Sequence, residues 1–389
     1  MSTPIRVGVI GAGMAGQAHA FGFRNAMMAV SSEIDVELVA IADPNLALAE
    51  SVARRYGFAQ ATADVDALIA SDVDVISVAL PNFLHTEVLS KVLGSGKHVF
   101  AEKPIGRTPA EAKMLQLEAE RSPSITGVGF SFRRLPGLAA LARAVSLGTI
   151  GDIHTVRGWY YADYASNPAS ALSWRFSQEQ SGGGALLDIG AHAIDAVHFV
   201  AGRITEVANA QLRTVITERP LPSRGAIGHG ASGSNSLGPV TNDDIALLSV
   251  SFESGAIGQI ALSRIARGMP NSLGVEVYGT RGSASFDSIS SGEFHLFESG
   301  EVDDAYNGPK RIFTGPAHPY FSDVAAMPGA GVGTGYAEAF IAELQEFLRS
   351  VAEGTPMDTD FRTASQMMNV VGAALESSRS GKTVSVPEA

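Results

Sequence analysis

The sequence predicts two domains: a doubly wound α/β domain over residues 1–130 and an α+β domain with a mainly antiparallel sheet over residues 131–389. Three observations carry this expectation. At 389 residues the chain exceeds the roughly 100–200 residues that one core usually serves. Its first third alternates short β-rich runs with helical stretches, the rhythm of a parallel sheet with crossover helices. Beyond that the runs lengthen and alternate polar with apolar residues, and Ser254-Gly255 joins two of them as a short hairpin turn.

In chain order, strands are expected at 5–10, 37–42, 75–79, 98–101 and 126–130, with helices at 15–29, 46–56, 65–70, 87–95 and 110–120. A helix over 138–147 follows, then strands at 153–161, 204–217, 245–252, 256–263, 274–279 and 283–287. Two features interrupt the second sheet: an apolar helix at 184–200, and a Gly- and Ser-rich stretch at 221–241 that reads as a surface loop, either a solvated connection or a lid. Helices over 336–351 and 361–379 come last, and there is no internal repeat.

Hydrophobic residues make up 45% of the chain and charged residues 17%, enough apolar material for a sizeable core and too much for a disordered or fibrous chain. Twenty-eight basic and forty acidic residues leave a formal charge of -12, and no Lys/Arg cluster suits a phosphate backbone. Nucleic acid and anionic membrane are therefore poor partners. No apolar run approaches the roughly 18 residues of a membrane span, and the first residues show no signal-peptide pattern. With no cysteine there are no disulfides, thiolate metal sites or thiol nucleophiles, which fits a cytoplasmic protein.

Val7-Gly8-Val9-Ile10-Gly11-Ala12-Gly13-Met14-Ala15-Gly16 is a strand followed by G-x-G-x-x-G opening a helix. There Gly11 serves the tight turn, Gly13 admits a pyrophosphate to the backbone, and Gly16 lets helix and strand pack closely, with Met14 between them as a further cofactor contact. Free N–H groups at the helix start favour the anion. Asp43 ends the next strand, Val39-Ala40-Ile41-Ala42-Asp43, where a carboxylate accepts from both adenosine ribose hydroxyls and repels a 2'-phosphate. This favours NAD over NADP. The other reading of Asp43 is a cap for the helix beginning after Pro44.

Directly after the strand at 98–101 comes Glu102-Lys103-Pro104. With Leu80-Pro81-Asn82-Phe83-Leu84-His85, which matches a P-N-x-x-H turn, and Gly183-Gly184-Ala185-Leu186-Leu187-Asp188-Ile189-Gly190-Ala191-His192, which matches a D-x-x-x-H signature, the sequence resembles the glucose-fructose oxidoreductase/inositol dehydrogenase/MocA (Gfo/Idh/MocA) family. Together with the glycine turn and the pattern at 336–348, the similarity spans nearly the whole chain. The resemblance implies an N-terminal Rossmann domain, a C-terminal domain with a large open sheet that often forms homodimers or homotetramers, and an active site between them. It implies a sugar or cyclitol substrate, oxidised or reduced at one carbon by a nicotinamide cofactor.

Asp188 and His192 are four residues apart, so on a helix they share a face and reach one small molecule. A neutral His192 takes the proton of a secondary alcohol while hydride leaves the same carbon, and Asp188 orients the substrate. Lys103, at the end of a parallel strand, stabilises alkoxide character on the reacting oxygen. The plainer readings are a capping Asp188, a structural His192 and a solvated Lys103. The resemblance also motivates a cis bond at Pro104. Pro81, Asn82, Glu102 and Lys103 are expected near the cofactor, as is His85, which could equally cap the following helix. Trp174 and Arg175 face the nicotinamide or substrate, and Arg133 is a further substrate candidate. Tyr161, Asp163 and His318 are weaker candidates for sugar contacts. A metal held by Asp188, His192 and a histidine such as His19 is set aside, because a positioned lysine does the same charge work.

The leading functional reading is an NAD-dependent sugar, anhydrosugar or cyclitol dehydrogenase; among family members, the 221–241 stretch and Ser173-Trp174-Arg175-Phe176 look most like enzymes acting on levoglucosan or inositols. The alternatives are an NAD-dependent glycosidase that oxidises its sugar transiently and a non-catalytic NAD-sensing regulator.

Overall fold

The computed structural model describes residues 4–31, 33–223, 233–300 and 306–389. In the first domain β1 (Ile5–Ile10), β2 (Val36–Ala42), β3 (Gln60–Thr62), β4 (Val75–Val78), β5 (His98–Ala101) and β6 (Thr126–Val128) alternate with α1 (Met14–Asn25), α2 (Leu46–Tyr56), α3 (Val65–Ala70), α4 (Asn82–Gly94) and α5 (Pro109–Arg121). All pairs are parallel, in the Rossmann order β3-β2-β1-β4-β5-β6. The order reverses between β1 and β4, opening a crevice at their carboxyl ends. Val75-Ile76-Ser77-Val78 of β4 is buried throughout, as a strand covered on both faces must be. Asn45, Asp64 and Thr108 cap α2, α3 and α5 by accepting from first-turn amides. The short edge strand β3 was not among the sequence expectations.

The second domain comprises α6 (Pro136–Ser146), β7 (Ile153–Ala162), α7 (Gln178–Ser181), α8 (Ala185–Asp188), α9 (Gly190–Ala201), β8 (Ile204–Arg213), β9 (Glu218–Pro222), β10 (Gly233–Pro239), β11 (Ile245–Phe252), β12 (Ile257–Ser263), β13 (Asn271–Gly279), β14 (Gly282–Asp287), β15 (Glu293–Glu298), β16 (Lys310–Phe313), α10 (Tyr336–Glu353), α11 (Phe361–Ser380) and β17 (Val384–Ser385). Nine strands form one sheet in the order β16-β15-β14-β13-β7-β12-β11-β8-β17, antiparallel except for β7 with β12. The β11–β12 hairpin turns at Ser254-Gly255, with Gly255 at φ 87. Along β7 the residues Val156, Gly158, Tyr160 and Ala162 face inward, and α9 lies on them so closely that a Cβ on Gly158 would come 2.5 Å from Val197. The opposite face leaves Leu247, Ile257 and Tyr278 exposed.

Two expectations are corrected. The helix at 184–200 is two helices broken at Ile189, and the stretch Gln178–Asp188 meets Gly190–Ala201 at a bend of 43°. Within 221–241 lies part of a two-stranded ribbon, β9 with β10, rather than loop throughout; its prolines and glycines hid the alternation, and residues 224–232 lie outside the described part. The packing also crosses the sequence division. Leu344, Phe347 and Leu348 of α10 join Val7, Val9 and Phe100 in one core, and α10 meets α1 where a Cβ on Gly22 would strike Leu344 at 2.6 Å. Among the described residues no single helix is long and apolar enough to cross a membrane.

Candidate active site

The glycine turn sits at the β1 end of the crevice. Gly11 has φ 102, and a Cβ there would lie 2.2 Å from the Ala79 carbonyl oxygen; one on Gly16 would lie 1.8 Å from that of Gly11. Those two glycines are demanded by packing. A Cβ on Gly13 would meet nothing within 4 Å, so the start of α1 is an open cradle whose N–H groups point at whatever fills it. Met14 stands exposed at its rim. Asp43 accepts from the Ala12 amide at 2.9 Å and from the Asn45 amide at 2.8 Å, so it braces the end of β2 against the glycine turn; the cap of α2 is Asn45. An open cradle of backbone donors with a carboxylate beside it fits a dinucleotide lacking a 2'-phosphate.

The ends of β4 and β5 form the floor. Pro81 precedes the first turn of α4. Asn82 donates to the Ser181 carbonyl at 2.7 Å, tying the Rossmann domain to α7. His85 is buried between two carbonyls, Pro104 O at 2.7 Å and Leu80 O at 2.8 Å, and so links the two strand-end turns instead of capping α4; burial holds its pKa below the usual value. The Lys103–Pro104 bond is cis.

Lys103 reaches across to the second domain. Its Nζ donates to the Asp188 carbonyl oxygen at 2.7 Å and lies 3.4 Å from Asp188 Oδ1, while the Tyr164 hydroxyl donates to Oδ2 at 2.6 Å. Burial alone would raise the Asp188 carboxyl, but the Lys103 and Arg175 charges and the Tyr164 hydrogen bond outweigh it and hold the group well below the usual carboxylate range. His192, in the first turn of α9, is packed by Phe132 at 5.1 Å and Tyr160 at 6.2 Å. Its Nδ1 is buried without a partner among the described residues. Burial, reinforced by the Lys103 charge, lowers its pKa to about 3, so the ring is neutral and free to accept a proton.

The helix break brings these groups together. Asp243 accepts from the amides of Gly184 and Leu186 at 2.9 and 2.7 Å, and its backbone lies so near that a Cβ on Gly184 would sit 1.8 Å from the Asp243 carbonyl oxygen. Asp243 thereby pins the start of α8, while Gly190, which lacks a Cβ that would strike Leu262 at 2.7 Å, lets α9 drop onto β12. Asp188 and His192 thus belong to different helices, not to one continuous helical face.

Arg175 stacks on Trp174 at 4.4 Å, Trp174 packs on Phe83 at 6.4 Å, and the Arg175 charge acts on Asp188. Behind them Arg264, fully buried, pairs with Asp244 at 2.9 Å and donates to Asn242 Oδ1 at 2.8 Å, while Asn242 donates to Arg175 O at 2.8 Å. Sequence reasoning missed Tyr164, Asn242, Asp243, Asp244 and Arg264; the polar run Thr241-Asn242-Asp243-Asp244 directly before a strand was the available signal. Other candidates serve elsewhere. Arg133 is spent on Asp195, at 2.8 and 2.5 Å. Tyr161 stands on the face of β7 opposite Tyr160 and His192, as strand alternation dictates. His318 accepts from the Gly315 amide at 3.0 Å and packs on Phe294, and Asp163 turns the chain by accepting the Ser166 amide at its carbonyl. No group of three or more His, Asp or Glu is placed to hold a metal among the described residues, and His19 faces Ser77 and Glu102.

A family model described as an oxidoreductase family with an NAD-binding Rossmann fold matches residues 5–130, and a GFO/IDH/MocA C-terminal domain model matches residues 138–285. The chain is 35% identical to the levoglucosan dehydrogenase of Pseudarthrobacter phenanthrenivorans over 99% of this chain and 98% of that protein. It is 26% identical to the scyllo-inositol 2-dehydrogenase (NAD(+)) of Bacillus subtilis over 99% of this chain and 97% of that one. Among solved structures it is similar to levoglucosan dehydrogenase in complex with NADH and levoglucosan, with a TM-score of 0.92 and 32% identity, covering 99% of this chain and 100% of that one.

Proposed function

The chain belongs to the Gfo/Idh/MocA oxidoreductase family, and on that premise we propose that it is an NAD-dependent dehydrogenase oxidising one secondary alcohol of a pyranose-type sugar, an anhydrosugar first among them. The observation that carries this is the convergence of Lys103, Asp188 and His192 at the mouth of the dinucleotide crevice. When bound, the nicotinamide supplies the hydride acceptor. Asp188, steadied by Lys103 and Tyr164, orients the sugar. The Lys103 ammonium donates to the reacting oxygen as it gains alkoxide character. His192 takes the hydroxyl proton at Nε2, the ring nitrogen that is not sealed in the core. Asp43 supports the preference for NAD.

Residues 1–130 and 131–389 are the working units of this reading, with α10 docked back on the first. The exposed outer face of the large sheet, with Leu247, Ile257 and Tyr278, supports a homodimer or homotetramer built by covering it, and the cysteine-free sequence supports a cytoplasmic setting. The test is turnover of anhydrosugars, aldoses and cyclitols with NAD. The expected result is NADH absorbance rising in step with a keto-sugar; NAD binding without NADH formation on any of them would overturn the reading.

A further inference from the structure

The catalytic proton must settle on a ring already near positive charge: Lys103 acts on His192 directly and disfavours its cationic form. Asp188 is one counter-charge, but it is shared between the Lys103 ammonium and the Tyr164 hydroxyl. Glu102 is the second carboxylate that acts on His192: a Cβ on Gly129 would lie 3.3 Å from Glu102 Oε1, and the next residue, Phe130, stands edge-on to the His192 ring at 6.4 Å, while the hydrogen bonds of Glu102 come from neither a lysine nor an arginine side chain. Its Oε2 accepts from the Lys103 amide at 3.1 Å, and its Oε1 lies 3.2 Å from His19 Nε2.

His19 is fully buried on α1, held edge-on by Phe100 at 5.2 Å, with Nδ1 2.7 Å from Ser77 Oγ inside β4. An ionised carboxylate only accepts, so Nε2 carries the proton that faces Glu102. The contacts run from β4 through α1 to the end of β5. Glu102 is also faced by Tyr336 and Glu343 on α10, by His192 on α9 and by the adjacent Lys103. Burial would raise the Glu102 carboxyl; the His19 hydrogen bond, with the neighbouring charges, brings it down to about 2.

We propose that His19 is a positioning residue for proton transfer: by donating to Glu102 it keeps an ionised carboxylate facing His192, and that carboxylate is the counter-charge when His192 becomes an imidazolium. This rests on the dehydrogenase reading above. In chemical terms the alcohol proton forms a bond to His192 Nε2 as hydride leaves the same carbon for the nicotinamide, so His192 gains one positive charge and Glu102 offsets it without moving.

The test compares pH profiles of kcat and of sugar KM for the full chain, Glu102→Gln, His19→Phe and the double variant. Glu102→Gln lowers kcat about ten- to hundredfold, with sugar KM within about threefold. His19→Phe keeps an aromatic ring against Phe100 but removes the donor, so Glu102 takes up a proton more readily and kcat falls toward acid pH more steeply than in the wild type. Glu102→Gln and the double variant lack that acid limb. An unchanged kcat in Glu102→Gln overturns the proposal, as does a pH-independent loss in His19→Phe that the double variant merely repeats. If His19→Phe fails to fold, Glu102→Gln decides alone. A wild-type protein that binds NAD and oxidises no sugar brings down the dehydrogenase reading and this proposal together, whereas the other failures bring down the proposal alone.

Discussion

On the cofactor side the crevice is shaped by backbone: Gly11 and Gly16 let two chain segments touch, Gly13 leaves room, and Asp43 ties the turn to β2. On the substrate side the site is shaped by side chains drawn from distant parts of the chain, with Asp243 pinning α8, Tyr164 and Lys103 gripping Asp188, and the Arg264–Asp244 pair braced behind them. The first arrangement depends on atoms that are absent, and a single added carbon spoils it locally. The second depends on buried charges that hold one another, so removing one partner exposes the desolvation cost of the rest.

Substitutions should separate the two sides. Lys103→Met is expected to cost the most, at least about a thousandfold in kcat/KM or about 4 kcal/mol, with NADH affinity within about threefold; steady-state kinetics beside NADH fluorescence titration checks it, and a matched loss of NADH binding would place Lys103 on the cofactor side instead. Asp243→Ala removes the acceptor of two buried amides and is expected to cost about 2–3 kcal/mol of stability together with activity, read by denaturant unfolding. Gly13→Ala adds its carbon to open space, so it should weaken NADH about tenfold, about 1.4 kcal/mol, while leaving the melting temperature nearly unchanged.

The smallest effect concerns pH. Burial, aided by nearby Arg133 and Arg203, lowers the His198 pKa to about 3, as burial and Lys103 do for His192. In the unfolded chain a histidine titrates near about 6.5, so the unfolded state binds more protons as pH falls between those values. Stability is therefore present above about pH 6.5 and is lost toward pH 3, and His198→Gln should flatten the decline by about 1 kcal/mol at about pH 5.8. Thermal unfolding across that range measures it; an equally steep decline in the variant would mean that His198 titrates normally in the fold.

The same contrast explains what could be read in the sequence. The cofactor side was legible because its determinants are local: Gly11, Gly13, Gly16 and Asp43 each act within a strand–turn–helix unit, and Glu102-Lys103-Pro104 follows a strand directly. On the substrate side Asp188 and His192 were legible as a pair, but not the break between them, because its cause is Asp243, far along the chain. Arg133 looked like a substrate ligand because its carboxylate partner, Asp195, is distant in sequence. Tyr161 falls on the far face of β7 because strand alternation fixes that neighbouring residues take opposite faces, not which face the helices cover; Tyr164 lies beyond the strand, and its pairing with Asp188 is set in space alone.

The most direct measurement follows the hydride. The anhydrosugar carrying deuterium at each secondary carbon in turn is incubated with NAD, and the reduced cofactor and sugar product are analysed by mass spectrometry. Transfer of one deuterium to NADH from a single carbon, with a ketone left at that carbon, is the predicted result. Sugar consumed with NAD unchanged, or a reducing sugar released without net NADH, would contradict the dehydrogenase account and point to oxidation that is only transient.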